Sequence, residues 1–127
     1  MEQKKYIDIE RCKQRYAETF KVGEQIVVQV KIDGSNASIA YDENINSLVA
    51  FSRRQELSEK NNLNGFWNFV QTLDVSIFKE ILGNRYIIFG EWLTPHAVKY
   101  PQQMYNKFYN YLYDYMVKVG FISEKNP

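Results

Sequence analysis

Cysteine, proline and long apolar runs are all scarce in this sequence. The single cysteine, Cys12, excludes an internal disulfide and a cysteine-based zinc cluster, and it is typical of a reducing compartment. No apolar stretch approaches the roughly 18 residues that span a membrane, and the first residues lack the apolar core of a signal peptide. We therefore expect a cytoplasmic protein. No Pro/Gly/Ser-rich linker divides the chain, so residues 1–127 are expected to form a single domain.

An excess of charge is absent too, because 16 basic residues are balanced by 15 acidic ones and the formal net charge is +1. Such a chain attracts nucleic acid only through a local basic patch. The basic residues before residue 16, which include Lys4 and Lys5, are interleaved with acidic ones, and this favours a solvated face. Aromatic residues are abundant at 16%, and their rings suit an apolar core as well as stacking on bases.

Apolar and polar residues alternate over residues 25–33, which predicts a half-buried strand. One face of this strand would carry Ile26, Val28, Val30 and Ile32. Lys31 and Asp33 would share the other face. Gly34, Ser35 and Asn36 predict a turn, and residues 37–41 and 47–52 predict two further antiparallel strands.

The periodicity changes to that of a helix over residues 64–82. The apolar residues three or four apart are Phe66, Val70, Leu73, Ile77 and Ile81, and Gly83 is placed to end the helix. Strand character returns over residues 85–93 and 108–117, and the second segment would place Tyr109, Tyr111, Tyr113 and Tyr115 on one face. Strands on both sides of a helix predict an α+β fold.

Four short motifs follow one another along the chain. They are Lys31-Ile32-Asp33-Gly34, Ser52-Arg53, Phe89-Gly90-Glu91-Trp92 and Tyr113-Asp114. Their order resembles that of the ATP-dependent RNA ligase family, within the covalent nucleotidyltransferase superfamily, over residues 25–115. The resemblance implies an antiparallel-sheet nucleotidyltransferase domain of the ATP-grasp-like ligase type, here in truncated form.

The same resemblance implies a reaction. In such ligases a lysine amine attacks the α-phosphate of ATP with Mg²⁺ present, holds AMP as a phosphoramidate, and passes it to a 5′-phosphate before strand joining. Lys31 matches this nucleophile, and Asp33 is expected to orient the amine or to lie beside the metal. The expected partners are ATP and nucleic acid with 5′-phosphate and 3′-hydroxyl ends, with RNA favoured over DNA. The metal ligands are not identified by the motifs.

Three further positions are expected to contact the nucleotide. Gln29 stands where many members of the superfamily carry a glutamate that accepts from the adenine amino group, and its amide oxygen can accept the same bond without charge assistance. A plain polar strand residue is an equal interpretation of Gln29. Val30, directly before Lys31, and Gly34, at the end of the same motif, are also expected to bind the nucleotide.

The later motifs imply contacts to the phosphate, the sugar and the base. Arg53 matches an arginine that contacts the nucleotide phosphate or the strand end, and Arg54 is placed to exchange roles with it. Glu91 matches a glutamate that binds the ribose hydroxyls, the alternative being an exposed strand charge. Tyr113 replaces the phenylalanine that usually stacks on adenine, whereas the other three tyrosines are equally explained by a core or sheet-surface stripe.

His96, the only histidine, lies in a family-like stretch that runs from Gly90 to Lys99 and Tyr100, and a loop residue is the favoured interpretation over a ligand or base. The glutamate-glycine and lysine-x-lysine motifs that complete the family pattern do not occur. The chain is therefore expected to be a ligase lacking these motifs or supplied with them by a second polypeptide. The alternatives are an inactive nucleotide- or nucleic-acid-binding module and a structural protein that pairs through its tyrosine-rich strand.

Overall fold

The fold is a five-stranded antiparallel sheet with two helices on one side, as seen in a computed structural model that describes residues 1, 3–6, 21–26, 28, 30–110 and the backbone of 115–117. The elements are β1 (Ser35–Asp42), β2 (Ser47–Ser52), α1 (Phe66–Gln71), α2 (Val75–Leu82), β3 (Tyr86–Leu93), a 3₁₀ helix (Gln102–Met104), β4 (Lys107–Tyr109) and β5 (Tyr115–Val117). The strand order is β2-β1-β3-β4, and β5 also pairs with β3. The predicted α+β class is confirmed.

β1 and β2 form a hairpin, as their alternation predicts. The turn is held by the Asn44 amide, which donates to Asp42 Oδ1 at 3.0 Å, and by the Tyr41 hydroxyl, which donates to Asn46 Oδ1 at 2.6 Å. The turn predicted for residues 34–36 is wrong except at Gly34, because Ser35 and Asn36 already pair with β3. The chain thus enters the centre of the sheet immediately after Gly34.

The helix predicted over residues 64–82 is divided in two. Asp74 accepts from the Ser76 amide at 3.0 Å and from the Ser76 hydroxyl at 2.6 Å, so it caps a new helix in place of continuing the first. The restart changes the buried face, and Ile77 and Ile81 are 52% and 62% exposed where the periodicity predicts burial. Gly83 ends α2 as predicted.

Two apolar layers cover the sheet. The helix face carries sheet residues that pack against the helices, namely Ala37, Ile39, Tyr41, Leu48, Ala50 and Trp92. Its centre is Phe66, which is fully buried, with its ring centroid 5.4 Å from that of Trp92 and 5.1 Å from that of Phe108. The opposite face carries a smaller cluster of Ala40, Val49, Phe51, Ile87 and Phe89, against which Tyr6 packs.

Within the strand predicted over residues 108–117, the structure describes β4 and β5. Glu91 pairs with Tyr109 and Ile88 pairs with Tyr115. Both short strands therefore pair antiparallel with β3. Tyr111 and Tyr113 lie outside the described residues.

The strand predicted over residues 25–33 is wrong wherever the structure describes that segment. Ile26, Val28 and Val30 are 59%, 84% and 79% exposed, and only Ile32, at 8%, is buried. An alternating pattern forms a strand only where a neighbouring strand can pair with it, and none of the described strands does so before Ser35. No helix within the described part of the chain is long and apolar enough to cross a membrane.

Candidate functional site

Gly34 fixes the Lys31 segment against β3. A Cβ atom at Gly34 would lie 2.7 Å from the carbonyl oxygen of Trp92 and 3.5 Å from Cβ of Glu91. A separation of 2.7 Å is shorter than any normal carbon contact, so the backbone at this position approaches β3 as closely as only glycine allows. The last residue of the first motif is therefore in contact with the third motif.

Lys31 and Asp33 are both exposed on either side of the buried Ile32. Ile32 anchors this short stretch to the apolar core, whereas its two charged neighbours remain accessible to a ligand. Since Gly34 directly follows Asp33 and contacts Glu91, these three expected site residues lie in one region of the molecule. Val30, by contrast, is 79% exposed and makes no described contact with that region.

The loop between β3 and β4 braces Asp33. The Asp33 amide donates to the hydroxyl of Tyr100 at 2.9 Å, and the Tyr100 amide in turn donates to the hydroxyl of Tyr105 at 3.1 Å. The loop closes where the Asn106 amide donates to the Leu93 carbonyl at 2.7 Å. Tyr100 therefore fixes the backbone at Asp33. The sequence places Tyr100 in the family-like stretch but does not predict this contact.

His96 joins the same region from the start of that loop. Its Nδ1 lies 2.7 Å from the Thr94 carbonyl oxygen, and since a carbonyl can only accept, Nδ1 carries the proton and donates. In the neutral ring Nε2 is then an acceptor, and it faces the Ser35 hydroxyl at 3.4 Å. This contact connects the loop to Ser35, the first residue of β1. His96 therefore lies in a loop, as the sequence predicts.

Glu91 is half-buried on the sheet face that points away from the helices, beside its paired residues on β1 and β4. It pairs with Asn36 on β1 and with Tyr109 on β4, and directly paired residues of antiparallel strands point to the same face. Phe89, two residues earlier, shares this face. Glu91 therefore belongs to a polar row formed by Asn36, Glu91 and Tyr109 at the edge of the apolar cluster around Phe89.

Arg53 lies at the same end of the sheet. It directly follows Ser52, which pairs with Ala37, three residues after Gly34. The side chains of Arg53 and Arg54 are exposed and line a cleft of about 240 Å³ together with Lys5 and Tyr6. The structure thus brings Asp33, Gly34, Glu91 and Arg53 to one end of the sheet, and Lys31 lies two residues before Asp33. Gln29 and Tyr113 lie outside the described residues.

No metal cage is present in the described part of the chain, where no three His, Cys, Asp or Glu side chains are grouped. Magnesium bound with a nucleotide needs no such cage, because one or two carboxylates and the phosphate oxygens hold it. The exposed carboxylate of Asp33 fits that donor chemistry.

A family model described as RNA ligase matches residues 24–125, which is most of the chain. No curated protein and no solved structure matches this chain.

Proposed function

Because the chain belongs to the RNA ligase family, we propose that it joins nucleic-acid ends through an AMP-lysine intermediate formed on Lys31. The observation that supports this most directly is the contact of Gly34 with Glu91 and Trp92, since it brings the nucleophile's segment beside the expected ribose contact. Two motifs separated by more than fifty residues thereby form one surface. RNA is the proposed substrate in preference to DNA.

The reaction begins with the neutral amine of Lys31. Its lone pair attacks the α-phosphorus of ATP, a nitrogen–phosphorus bond forms, pyrophosphate leaves, and the amine loses a proton to solvent. An oxygen of a 5′-phosphate then attacks the AMP phosphorus, the nitrogen–phosphorus bond breaks, and the lysine amine leaves with a proton taken from solvent. Finally a 3′-hydroxyl attacks the activated 5′-phosphate and loses its proton to solvent, a phosphodiester forms, and AMP leaves.

The remaining residues bind and orient the substrates in this proposal. Glu91 accepts hydrogen bonds from the ribose hydroxyls, and Arg53 binds a phosphate with its planar guanidinium. Asp33, whose backbone is fixed by Tyr100, orients the Lys31 amine or holds Mg²⁺. Magnesium, when bound, neutralises charge on the triphosphate. Gln29 and Tyr113 are assigned to the adenine.

Incubation with ATP labelled at the α-phosphate, in the presence of Mg²⁺, tests the proposal. The protein should acquire a label that survives denaturation and alkali but not acid, as a phosphoramidate does, and its mass should rise by one AMP. Lys31→Ala should abolish the label, whereas Lys60→Ala, at an exposed lysine of the loop before α1, should retain it. Both variants should keep their stability within about 0.5 kcal/mol, because exposed side chains contribute little packing.

Two outcomes would contradict the proposal. One is a label that persists in the Lys31→Ala variant, which would place the nucleophile elsewhere. The other is an unlabelled wild-type protein that still binds ATP in a calorimeter, which would make this chain a nucleotide-binding module without turnover.

A further inference from the structure

The cleft between the first residues and the end of β2 is a built feature of the fold. The side-chain amide of Gln3 donates to the carbonyl oxygens of Ser52, at 2.8 Å, and of Arg53, at 3.2 Å. Tyr6 then packs on Phe89, with the two ring centroids 5.2 Å apart. These contacts hold residues 3–6 across the opposite face of the sheet and bring Lys5 and Tyr6 to Arg53 and Arg54.

The cleft concentrates positive charge in a chain that has almost none overall. Three of its four lining residues are the cations Lys5, Arg53 and Arg54, and none of them makes an ion pair within the part of the chain that the structure describes. The formal net charge of the whole chain is only +1. The sequence predicts a solvated face for the first basic residues, and in the structure Lys5 also forms one wall of a local basic patch. Phosphate binding requires such a patch in a chain of low net charge.

The size and lining of the cleft suit one nucleotide of a longer strand. Its volume of about 240 Å³ lies below the roughly 300–1,000 Å³ of pockets that enclose a whole small molecule. Its fourth wall is the half-buried Tyr6, whose ring is held in place by Phe89. Cations beside a fixed aromatic ring are the combination that binds single-stranded nucleic acid, the cations contacting the backbone and the ring stacking on a base.

The position of the cleft connects it to the proposed ligase site. Arg53 belongs to both, and the residue before it pairs with Ala37, which in turn pairs with Gly90, the neighbour of Glu91. We propose that Lys5, Tyr6 and Arg54 form, with Arg53, a subsite for a phosphate and base of the RNA strand being joined. This assignment rests on the proposed function for the identity of the strand as RNA, and it adds Lys5, Tyr6 and Arg54 to the residues that bind substrate.

Binding of a short, fluorescently labelled, single-stranded oligoribonucleotide, followed by anisotropy at several salt concentrations, tests the subsite. Lys5→Gln and Arg54→Gln should each weaken binding about five- to tenfold. Each should also reduce the slope of log affinity against log salt by about 0.7, the value for one lost phosphate contact on a single strand. Lys60→Gln, which removes an exposed charge outside the cleft, should leave both quantities unchanged.

Tyr6 separates stacking from charge. Tyr6→Leu keeps an apolar contact with Phe89 but removes the ring, so affinity should fall about tenfold with an unchanged salt slope. Tyr6→Phe should bind RNA like the wild type, because it keeps the ring. A loss of affinity in Tyr6→Phe would instead assign the effect to the hydroxyl.

Comparing 5′-phosphorylated with 5′-hydroxyl oligonucleotides identifies the phosphate that the subsite binds. A preference of the wild type for the 5′-phosphorylated strand that disappears in Arg54→Gln assigns the terminal phosphate. Equal affinities for the two strands assign an internal phosphodiester.

The label from ATP distinguishes failure of the subsite from failure of the proposed function. Formation of AMP-lysine needs no RNA, so Lys5→Gln should be labelled like the wild type, whereas Lys5→Gln and Arg54→Gln should both bind RNA weakly. If both variants bind RNA with wild-type affinity and salt slope, the subsite is wrong whatever the labelling shows. If the wild type is never labelled and the cleft variants still lose RNA binding, the proposed ligase reaction fails and the subsite stands.

Discussion

At the scale of single residues, Gly34 shows how the absence of a side chain fixes the position of a chain segment. The carbonyl that would meet a Cβ at this position belongs to Trp92, in the centre of the sheet, and its strand is paired on both sides. The Trp92 carbonyl cannot move away from a clash without breaking the hydrogen bonds that pair β3 with its neighbouring strands. The segment that carries Lys31 must move instead.

Gly34→Ala should therefore destabilise the protein by about 1–3 kcal/mol, the usual cost of overpacking, and should slow AMP capture because Lys31 is displaced. Urea unfolding and the rate of labelling by ATP measure the two effects. Gly23→Ala is the comparison, because a Cβ there meets nothing within 4 Å although the φ angle of +88° is unfavourable for alanine. Labelling at the wild-type rate in Gly34→Ala would show that this close approach does not position the nucleophile.

Glu91 is predicted to recognise the sugar. Glu91→Ala should weaken ATP binding by about 1–3 kcal/mol through lost hydrogen bonds, and it should remove any preference for ATP over 2′-deoxyATP. Calorimetry with both nucleotides measures this, and Glu43→Ala, at an exposed carboxylate in the β1–β2 turn, is the matched control. An unchanged preference for the ribose in Glu91→Ala would assign the sugar contact to another residue.

At the scale of secondary structure, the sequence predicts elements well where the chain itself supplies the partner. β1, β2 and β3 follow the alternation of their residues because each is paired within the sheet. The helix break at Asp74 is not predicted, because the apolar periodicity continues through this N-cap residue and hides the change of face. Residues 25–33 alternate equally well, yet the alternation does not say which strand would pair with them.

Asp74 makes the start of α2 sensitive to pH. The hydroxyl of Ser76 and then the backbone amides of Ser76 and Ile77 donate to its carboxylate, and these bonds lower the pKa of Asp74 below its ordinary value. A carboxylate with a lower pKa in the folded state stabilises the fold above its unfolded pKa, and this contribution is lost as the pH falls through the folded value.

Asp74→Ala should accordingly melt at a lower temperature than the wild type at neutral pH, and the difference should shrink as the solution is acidified below the ordinary pKa of aspartate. Thermal unfolding at a series of pH values measures this. Glu80→Ala, on an exposed position of α2, controls for the general effect of removing a negative charge. A difference between Asp74→Ala and the wild type that stays constant with pH would show that the cap does not depend on the charge.

At the scale of the whole molecule, local patterns leave the assembly of distant segments undetermined. The cleft joins Lys5 to Arg53, and the proposed ligase site joins Gly34 to Glu91, in both cases across about fifty residues or more. The family motifs indicate that Lys31 and Glu91 belong together but say nothing of Lys5. Charge counting fails there as well, since interleaved acidic residues conceal a basic patch that exists only after folding.

The layering of the molecule gives the last prediction, because periodicity and structure disagree on which helix residues are in the core. Phe66 is fully buried between the helices and the sheet, whereas Ile81, predicted from the same apolar repeat, is 62% exposed. Phe66→Ala should therefore cost about 3–5 kcal/mol, a large part of the stability of a small domain, and Ile81→Ala about 0.5 kcal/mol or less. Urea unfolding of the two variants measures both values. Similar losses for the two would mean that α2 buries the face predicted by the sequence repeat and that the helix is rotated relative to the structure described above.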